Sequence, residues 1–449
     1  MTASPRSFGI WTCTALVVGN MIGSGIYLLP AALAPFGWNA VLGWLVTIGG
    51  ALAIAYVFAR LARALPRAGG PYAYTEAAFG PAVGFVTAWS YWLSVVVGNA
   101  AIAAGSVSYL SALFPPIGTT AFLAPALSLA AVWIFTALNC LGSDLTGRAQ
   151  NLATIVKIVP LAAIIVVAAI TLGHCGTAII LPLRHQDIHF TSISEAATLT
   201  LWGLLGLESA TIPAEKVHNP TRTIPRSTLL GTGFTGFLYL CVYSAILLML
   251  PAAQLAASPA PFADFLQHFW GGHTGAILDI FATMSGLLAL IGWVLLQGEL
   301  AWVMAERGVF PAWFRKTTPS GTPVRAHIAA TSILTVLLIA NSSKSIVALF
   351  TFALLLSTTG CLFAYLLTAF AALRLQVRGD LGPSPALAAT SLIAALYSIW
   401  TIWGAGGDAA FWGFAALVAG FPIYAGMRGS YRFMHGEAGG AAPGAKLEP

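Results

Sequence analysis

Apolar runs of about 20 residues or more recur along the whole chain, separated by short polar segments rich in Pro and Gly. At about 1.5 Å per residue, a run of that length crosses the roughly 30 Å hydrocarbon core of a bilayer as an α-helix. Twelve helices are expected, over about 8–33, 38–64, 80–113, 120–142, 149–172, 193–215, 227–250, 274–304, 325–341, 345–373, 385–403 and 409–427. The third and eighth are longer than the membrane needs and should tilt. No stretch alternates with period two, which excludes a transmembrane β-barrel. The expected fold class is an all-α polytopic membrane protein of 12 transmembrane helices.

Composition agrees, because only 8% of the 449 residues are charged and 58% are hydrophobic, where soluble domains carry about 25% charge. The net charge of +6 does not point to nucleic acid, since the basic residues form no stripe and fall between apolar runs. They report orientation instead. Of the 20 Lys and Arg, only Arg184 and Lys344 fall on one side and Lys157 within a span; all the others share the side of the N-terminus. Both termini are therefore expected in the cytoplasm, with the chain in a bacterial-type inner membrane. Residues 1–427 read as a single domain, and the Gly-, Ala- and Pro-rich 428–449 as a disordered cytoplasmic tail. Cys13, Cys140, Cys175, Cys241 and Cys361 lack metal-ligand or disulfide spacing and read as buried thiols. His174, His185, His189, His268 and His273 read as solvated loop or helix-end residues.

Two helices carry interruptions. The first contains Gly19-Asn20-Met21-Ile22-Gly23-Ser24-Gly25, and the sixth contains Trp202-Gly203-Leu204-Leu205-Gly206-Leu207-Glu208-Ser209. Glycine weakens a helix interior and lets the backbone unwind. The two runs hold corresponding positions in two five-helix halves, about 8–172 and 193–373, with helices 11 and 12 (about 385–427) peripheral. That is the pattern of a 5+5 inverted repeat with discontinuous helices 1 and 6, whose freed backbone groups meet a substrate near the bilayer midplane. Such backbone is tolerated at that depth only where it lines a cavity. Small-residue helix packing is the other reading of either glycine run alone; their pairing, with Glu208 beside one, favours a site.

Ionisable groups within spans cost about 3 kcal/mol each unless they are partnered or wet. Four qualify: Lys157, Glu208, Asp279 and Glu299. Asp279 and Glu299 lie nearer the ends of the eighth helix and are expected to reach an interface, while Lys157 and Glu208 lie deeper. The Lys157 ammonium either stands between the half-helices, as a bound cation or proton carrier would, or reaches the cytoplasmic interface. Trp202 and Trp293 are placed for a pocket, where a cationic substrate stacked on a ring gains about 2 kcal/mol in a dry site. No HExxH, paired-histidine or Ser/His/Asp arrangement is visible in the spans, so neither an enzyme, a metal nor a cofactor is expected. The loops and tail are too short for a sensor's signalling domain.

Several motifs in order carry a resemblance. They are Gly19 to Gly25, Gly69-Gly70-Pro71-Tyr72-Ala73-Tyr74, Tyr91-Trp92 with Gly98-Asn99, Leu201-Trp202 with Gly206 to Ser209, Asn219-Pro220 with Arg222 and Pro225, Gly292-Trp293, and Gly308 to Pro311. Over nearly its whole length the chain resembles the amino acid–polyamine–organocation (APC) transporters, most of all the basic amino acid/polyamine antiporters that include the bacterial arginine/agmatine exchanger. The resemblance implies that a substrate carboxylate meets N–H groups around Ser24 and Gly25, and that its α-ammonium meets carbonyls at Met21, Trp202 and Leu205. It implies stacking of a guanidinium on Trp293, with Asn99 and Ser357 bonding to it. Tyr91, Trp202, Glu208 and Tyr365 match gating positions, and Glu208 also matches a proposed acid-sensing carboxylate. Ser94, Val95 and Ile102 depart from the arginine exchanger's pocket. Lys157 has no counterpart there and resembles a fifth-helix lysine of related proton-coupled, sodium-independent amino acid transporters.

The function these readings imply is sodium-independent exchange of amino acids by alternating access, arginine or another basic amino acid against its decarboxylated amine. The alternative, suggested by Lys157 and Val95, is a proton-coupled or facilitated permease for neutral amino acids. The partners implied are small amino acid or amine substrates and the lipid bilayer; the family also includes homodimers.

Overall fold

The computed structural model describes residues 9–65, 70–120, 122–141, 144–211, 217–319 and 321–427, with side chains described except at 24, 25, 144–156 and 210. The expected tail over 428–449 lies outside the described residues. Helices α1 (Ile10–Met21) and α2 (Leu29–Leu33) flank a tight turn at Ser24–Tyr27, and are followed by α3 (Trp38–Ala64), α4 (Pro71–Phe79), α5 (Pro81–Leu113), α6 (Pro116–Thr119), α7 (Leu123–Leu141) and α8 (Asp144–Cys175). The chain continues through α9 (Phe190–Trp202), α10 (Pro220–Met249), α11 (Ala252–Ala257), α12 (Pro261–Phe269), α13 (Thr274–Glu306), α14 (Val324–Ala340), α15 (Ile346–Val377), α16 (Pro385–Gly404) and α17 (Gly406–Val418). No strand occurs among the described residues. Nine helical segments there are long and apolar enough to cross a membrane, and α1 and α14 are shorter apolar helices.

The helices sort by how much of each is hidden. In α5 the most apolar stretch is 89% buried, against 28% in α7 and 11% in the segment from Gly406 to Met427. The spine α5 packs on α15 and α13, while α3 packs on α10 and α9. Lipid tails are as apolar as leucine, so close backbone approach rather than hydrophobicity holds such helices together. Glycines provide it. A Cβ on Gly98 of α5 would stand 3.0 Å from Ser357 Oγ of α15, and one on Gly360 would stand 3.3 Å from Ser94 Cβ. Gly404 of α16 lies against the backbone carbonyl of Ser194 on α9, closer than any Cβ could fit. Gly404→Ala must push two helices apart, and overpacking of this kind costs about 1–3 kcal/mol. Melting of the purified protein in detergent should register that loss.

Two sequence expectations change. The thiols are not uniformly buried: Cys13 and Cys361 are, Cys140 and Cys241 are half-buried, and Cys175 is exposed. An apolar run does not reveal which of its faces looks outward to lipid. Asp279 is not open to its surroundings as expected; only 6% of it is exposed, and its Oδ1 is buried without a partner. The cause is α12, a short helix in a stretch left between the expected seventh and eighth helices, which packs over the start of α13. Glu299 is half-buried, and His174, His185, His189, His268 and His273 are exposed, as expected.

Candidate functional site

Both expected interruptions are present. Helix α1 ends at Met21, and a turn intervenes before α2. Helix α9 ends at Trp202, and the chain runs through consecutive turns before a short 3-10 turn at Ser209–Thr211. Gly206 adopts φ +99°, a conformation that glycine takes at little steric cost. The two breaks touch, since Asn20 Nδ2 donates to Ser209 Oγ at 2.8 Å and Ser209 Oγ donates to the Gly206 carbonyl at 2.5 Å.

Backbone groups freed by unwinding need partners away from water, and tyrosines provide them at the first break. Tyr239 donates to Met21 O at 2.9 Å, Tyr243 to Ile26 O at 2.5 Å, and Tyr109 to Tyr27 O at 2.7 Å. Lys157 of α8 brackets the same break. Its Nζ donates to Gly19 O at 3.1 Å, and its own carbonyl accepts from Tyr27 Oη at 2.9 Å. The ammonium is 2% exposed, and among the described residues no carboxylate pairs with it. It is enclosed by protein.

At the second break Glu208, 1% exposed, accepts from two tyrosines on different helices. Tyr91 Oη of α5 donates to Oε1 at 2.5 Å, and Tyr365 Oη of α15 donates to Oε2 at 2.6 Å. One carboxylate thus joins the unwound segment to both spine helices.

Between the breaks lies a small cavity, and its lining contains Met21, Tyr91, Ser94, Val95, Trp202, Leu205, Glu208, Trp293 and Ser357 of the sequence-predicted set. Trp202 packs edge-on against Phe350, with ring centroids 5.8 Å apart. Asn99, Tyr365 and Lys157 stand behind the lining. Asn99 is fully buried; its Nδ2 donates to Gln297 Oε1 at 2.9 Å and to Trp293 O at 3.3 Å, and its Oδ1 has no partner. Gly23 lines the cavity, while Ser24 and Gly25 form the adjoining turn, and the Ser24 side chain lies outside the described residues.

Sequence reasoning passed over Gln297. Its Nε2 donates to Thr331 Oγ1 at 3.0 Å, Thr331 shares a hydrogen bond with Thr136 at 2.8 Å, and Trp92 Nε1 donates to Gln297 O at 2.8 Å. An amide in the middle of an apolar helix was the available signal. Asn20 was visible within its glycine run, but not its bond to Ser209. The arrangement has unwound backbone, an aromatic wall, hydroxyls and one doubly bonded carboxylate. It can hold a small polar or cationic molecule.

Residues 8–434 match the family model described as amino acid permease. The chain is 35% identical over 340 residues to the cadaverine/lysine antiporter of Escherichia coli (strain K12), covering 75% of each protein. It is 30% identical over 436 residues to the putrescine transporter PotE of Haemophilus influenzae, covering 96% of this chain and 99% of that one. With the putrescine transporter PotE of Escherichia coli (strain K12) the identity is 28% over 428 residues, 94% of this chain and 96% of that one.

Proposed function

The chain belongs to the amino acid permease family, and on that premise we propose that it exchanges a basic amino acid for its decarboxylated amine across a bacterial inner membrane. The observation that carries this reading is the cavity between two mutually bonded helix breaks, walled by Trp202 and Trp293 and floored by Glu208. Relatives named for lysine with cadaverine and for putrescine widen the expected arginine and agmatine to the linear basic amino acids and diamines as a class. Twelve spans, the 5+5 repeat and cytoplasmic termini complete the proposal, with the helix 1 and 6 bundle rocking about the midplane. Exchange requires no sodium in this reading, because the Lys157 ammonium already holds the Gly19 carbonyl.

Counterflow in proteoliposomes tests it. Preloaded lysine, arginine, ornithine or their amines should accelerate labelled basic amino acid uptake in sodium-free buffer. If only leucine or alanine does so, the chain is a neutral amino acid permease, the reading that Val95 and Lys157 would support. Trp293→Leu removes the stacking surface while keeping an apolar side chain. Cation–π contacts are worth about 1–2 kcal/mol, so affinity for the cationic substrate should fall about tenfold, read by competition against labelled substrate.

A further inference from the structure

On the side of the protein that carries most of its Lys and Arg, the end of α15 and the junction of α4 with α5 leave an open groove. Phe79 and Val83 form one wall, and Leu367, Phe370 and Val377 form the other, with Arg374 among them. The Arg374 guanidinium lies over the Phe79 ring, 5.2 Å from its centroid, and the residue is exposed. Stacking orients the planar head but uses none of its five N–H donors. Among the described residues no carboxylate or carbonyl meets them. Arg378, one turn on, differs, since its Nη1 donates to Ala77 O at 3.1 Å and its Nε pairs with Asp380 at 3.2 Å. The end of α15 therefore presents one uncompensated charge, held in place by a ring.

That charge tops an apolar stripe. Leu367, Phe370 and Val377 share a face of α15, and Phe370 is 39% and Val377 89% exposed, so the face meets lipid. From Leu367 to Arg374 the stripe runs about 10 Å, within the roughly 15 Å of hydrocarbon that one leaflet provides. An apolar groove of that depth beside a free guanidinium has the shape and charge of a phospholipid's counterpart, chain below and phosphate above. A zwitterionic headgroup would bring its own cation to an arginine-rich end; an anionic one brings none.

We propose that this groove binds one anionic phospholipid, with its phosphate held by Arg374 and an acyl chain lying between Phe79 and Phe370. The proposal goes beyond the transporter reading and does not depend on it. Its consequence lies in α4, whose Tyr74 ring meets Phe58 at 6.1 Å, while Phe58 meets Tyr365 at 5.6 Å. A lipid bridging α4 and α15 holds α4 in place beside the Tyr365 bond to Glu208.

Thermal stabilisation of the detergent-solubilised protein tests it, with phosphatidylglycerol or phosphatidylcholine of identical acyl chains titrated into the micelles. Phosphatidylglycerol should stabilise at the lower concentration. Arg374→Gln should raise that concentration about tenfold, the loss of one hydrogen bond between charged groups, and leave the response to phosphatidylcholine unchanged. Val83→Trp fills the groove without altering charge and should also weaken the phosphatidylglycerol response. Arg184→Gln removes an exposed arginine from the opposite side and should not. The site is wrong if phosphatidylcholine matches phosphatidylglycerol, or if the Arg374 and Val83 variants keep the native preference. It is equally wrong if the Arg184 variant loses the preference as the Arg374 variant does, which would reduce the effect to net charge. Stabilisation by glycerol phosphate equal to that by the whole lipid would replace it with a soluble-anion site.

Discussion

Glu208→Ala should reduce exchange by at least about thirtyfold, measured as the initial rate of counterflow. The carboxylate accepts from Tyr91 on α5 and from Tyr365 on α15, and both hydroxyls belong to residues at most 5% exposed. Removing it leaves two buried donors without acceptors, at about 1–3 kcal/mol each. A factor of ten corresponds to about 1.4 kcal/mol, so even the lower bound for both donors exceeds tenfold in the population of the arrangement they hold. The consequence is conformational because the three groups sit on separate elements. The unwound end of the sixth helix is tied to the spine through this carboxylate, and alternating access moves those elements past one another. Tyr91→Phe and Tyr365→Phe each remove one bond and should each cost about tenfold or less. Together they should approach Glu208→Ala. A double variant no slower than the worse single one would mean that the two bonds do not act jointly, and the role given to the Glu208 link would be wrong.

The difference between what the chain reveals locally and what it reveals only when folded is clear at these residues. Gly19 to Gly25 and Gly203 to Gly206 were legible as breaks because glycine acts on its own backbone, and the φ of +99° at Gly206 is that property expressed. The spans were legible because hydropathy is summed over about 20 neighbours; the limits of α3, Trp38–Ala64, agree with the apolar run. Helix α12 was missed by the same measure, since nine residues containing Asp264 and His268 do not form an apolar run. Asp279 was misplaced as a result, its cover being invisible. Pairings across the chain leave no local pattern. Tyr91 and Tyr365 were reached through resemblance, but that both hydroxyls end on one carboxylate, 117 and 157 residues away, is a property of the folded chain. The Gln297 amide shows the converse, since it was plain in the sequence and acquired meaning only when Asn99 and Thr331 stood beside it.

Lys157→Met should separate stability from transport. Removing a buried charge relieves its desolvation cost, which offsets the loss of its single hydrogen bond and the unpaired carbonyl left behind. The variant should therefore melt near the native temperature. Exchange should nevertheless fall, by about tenfold or more, because Lys157 fixes both sides of the first break. Its ammonium holds Gly19 O, the last turn of α1, and its carbonyl receives Tyr27 Oη from the turn beyond. Methionine keeps the second contact, made by the backbone, and loses the first, a charge-assisted hydrogen bond worth about 1.5–3 kcal/mol. The Gly19 carbonyl would then be left in a dry site without its donor, and the two half-helices would no longer be held in one relation across the cavity. Lys157→Arg retains a donor and a charge but presents a wider, planar head that the space around Gly19 was not shaped for, so it should recover only part of the rate. Native exchange in Lys157→Met would show that the ammonium is a spectator to the break. A large drop in melting temperature with exchange surviving in the folded fraction would make it a structural strut instead. A stable protein that has lost exchange is the outcome that places Lys157 in the moving part of the transporter.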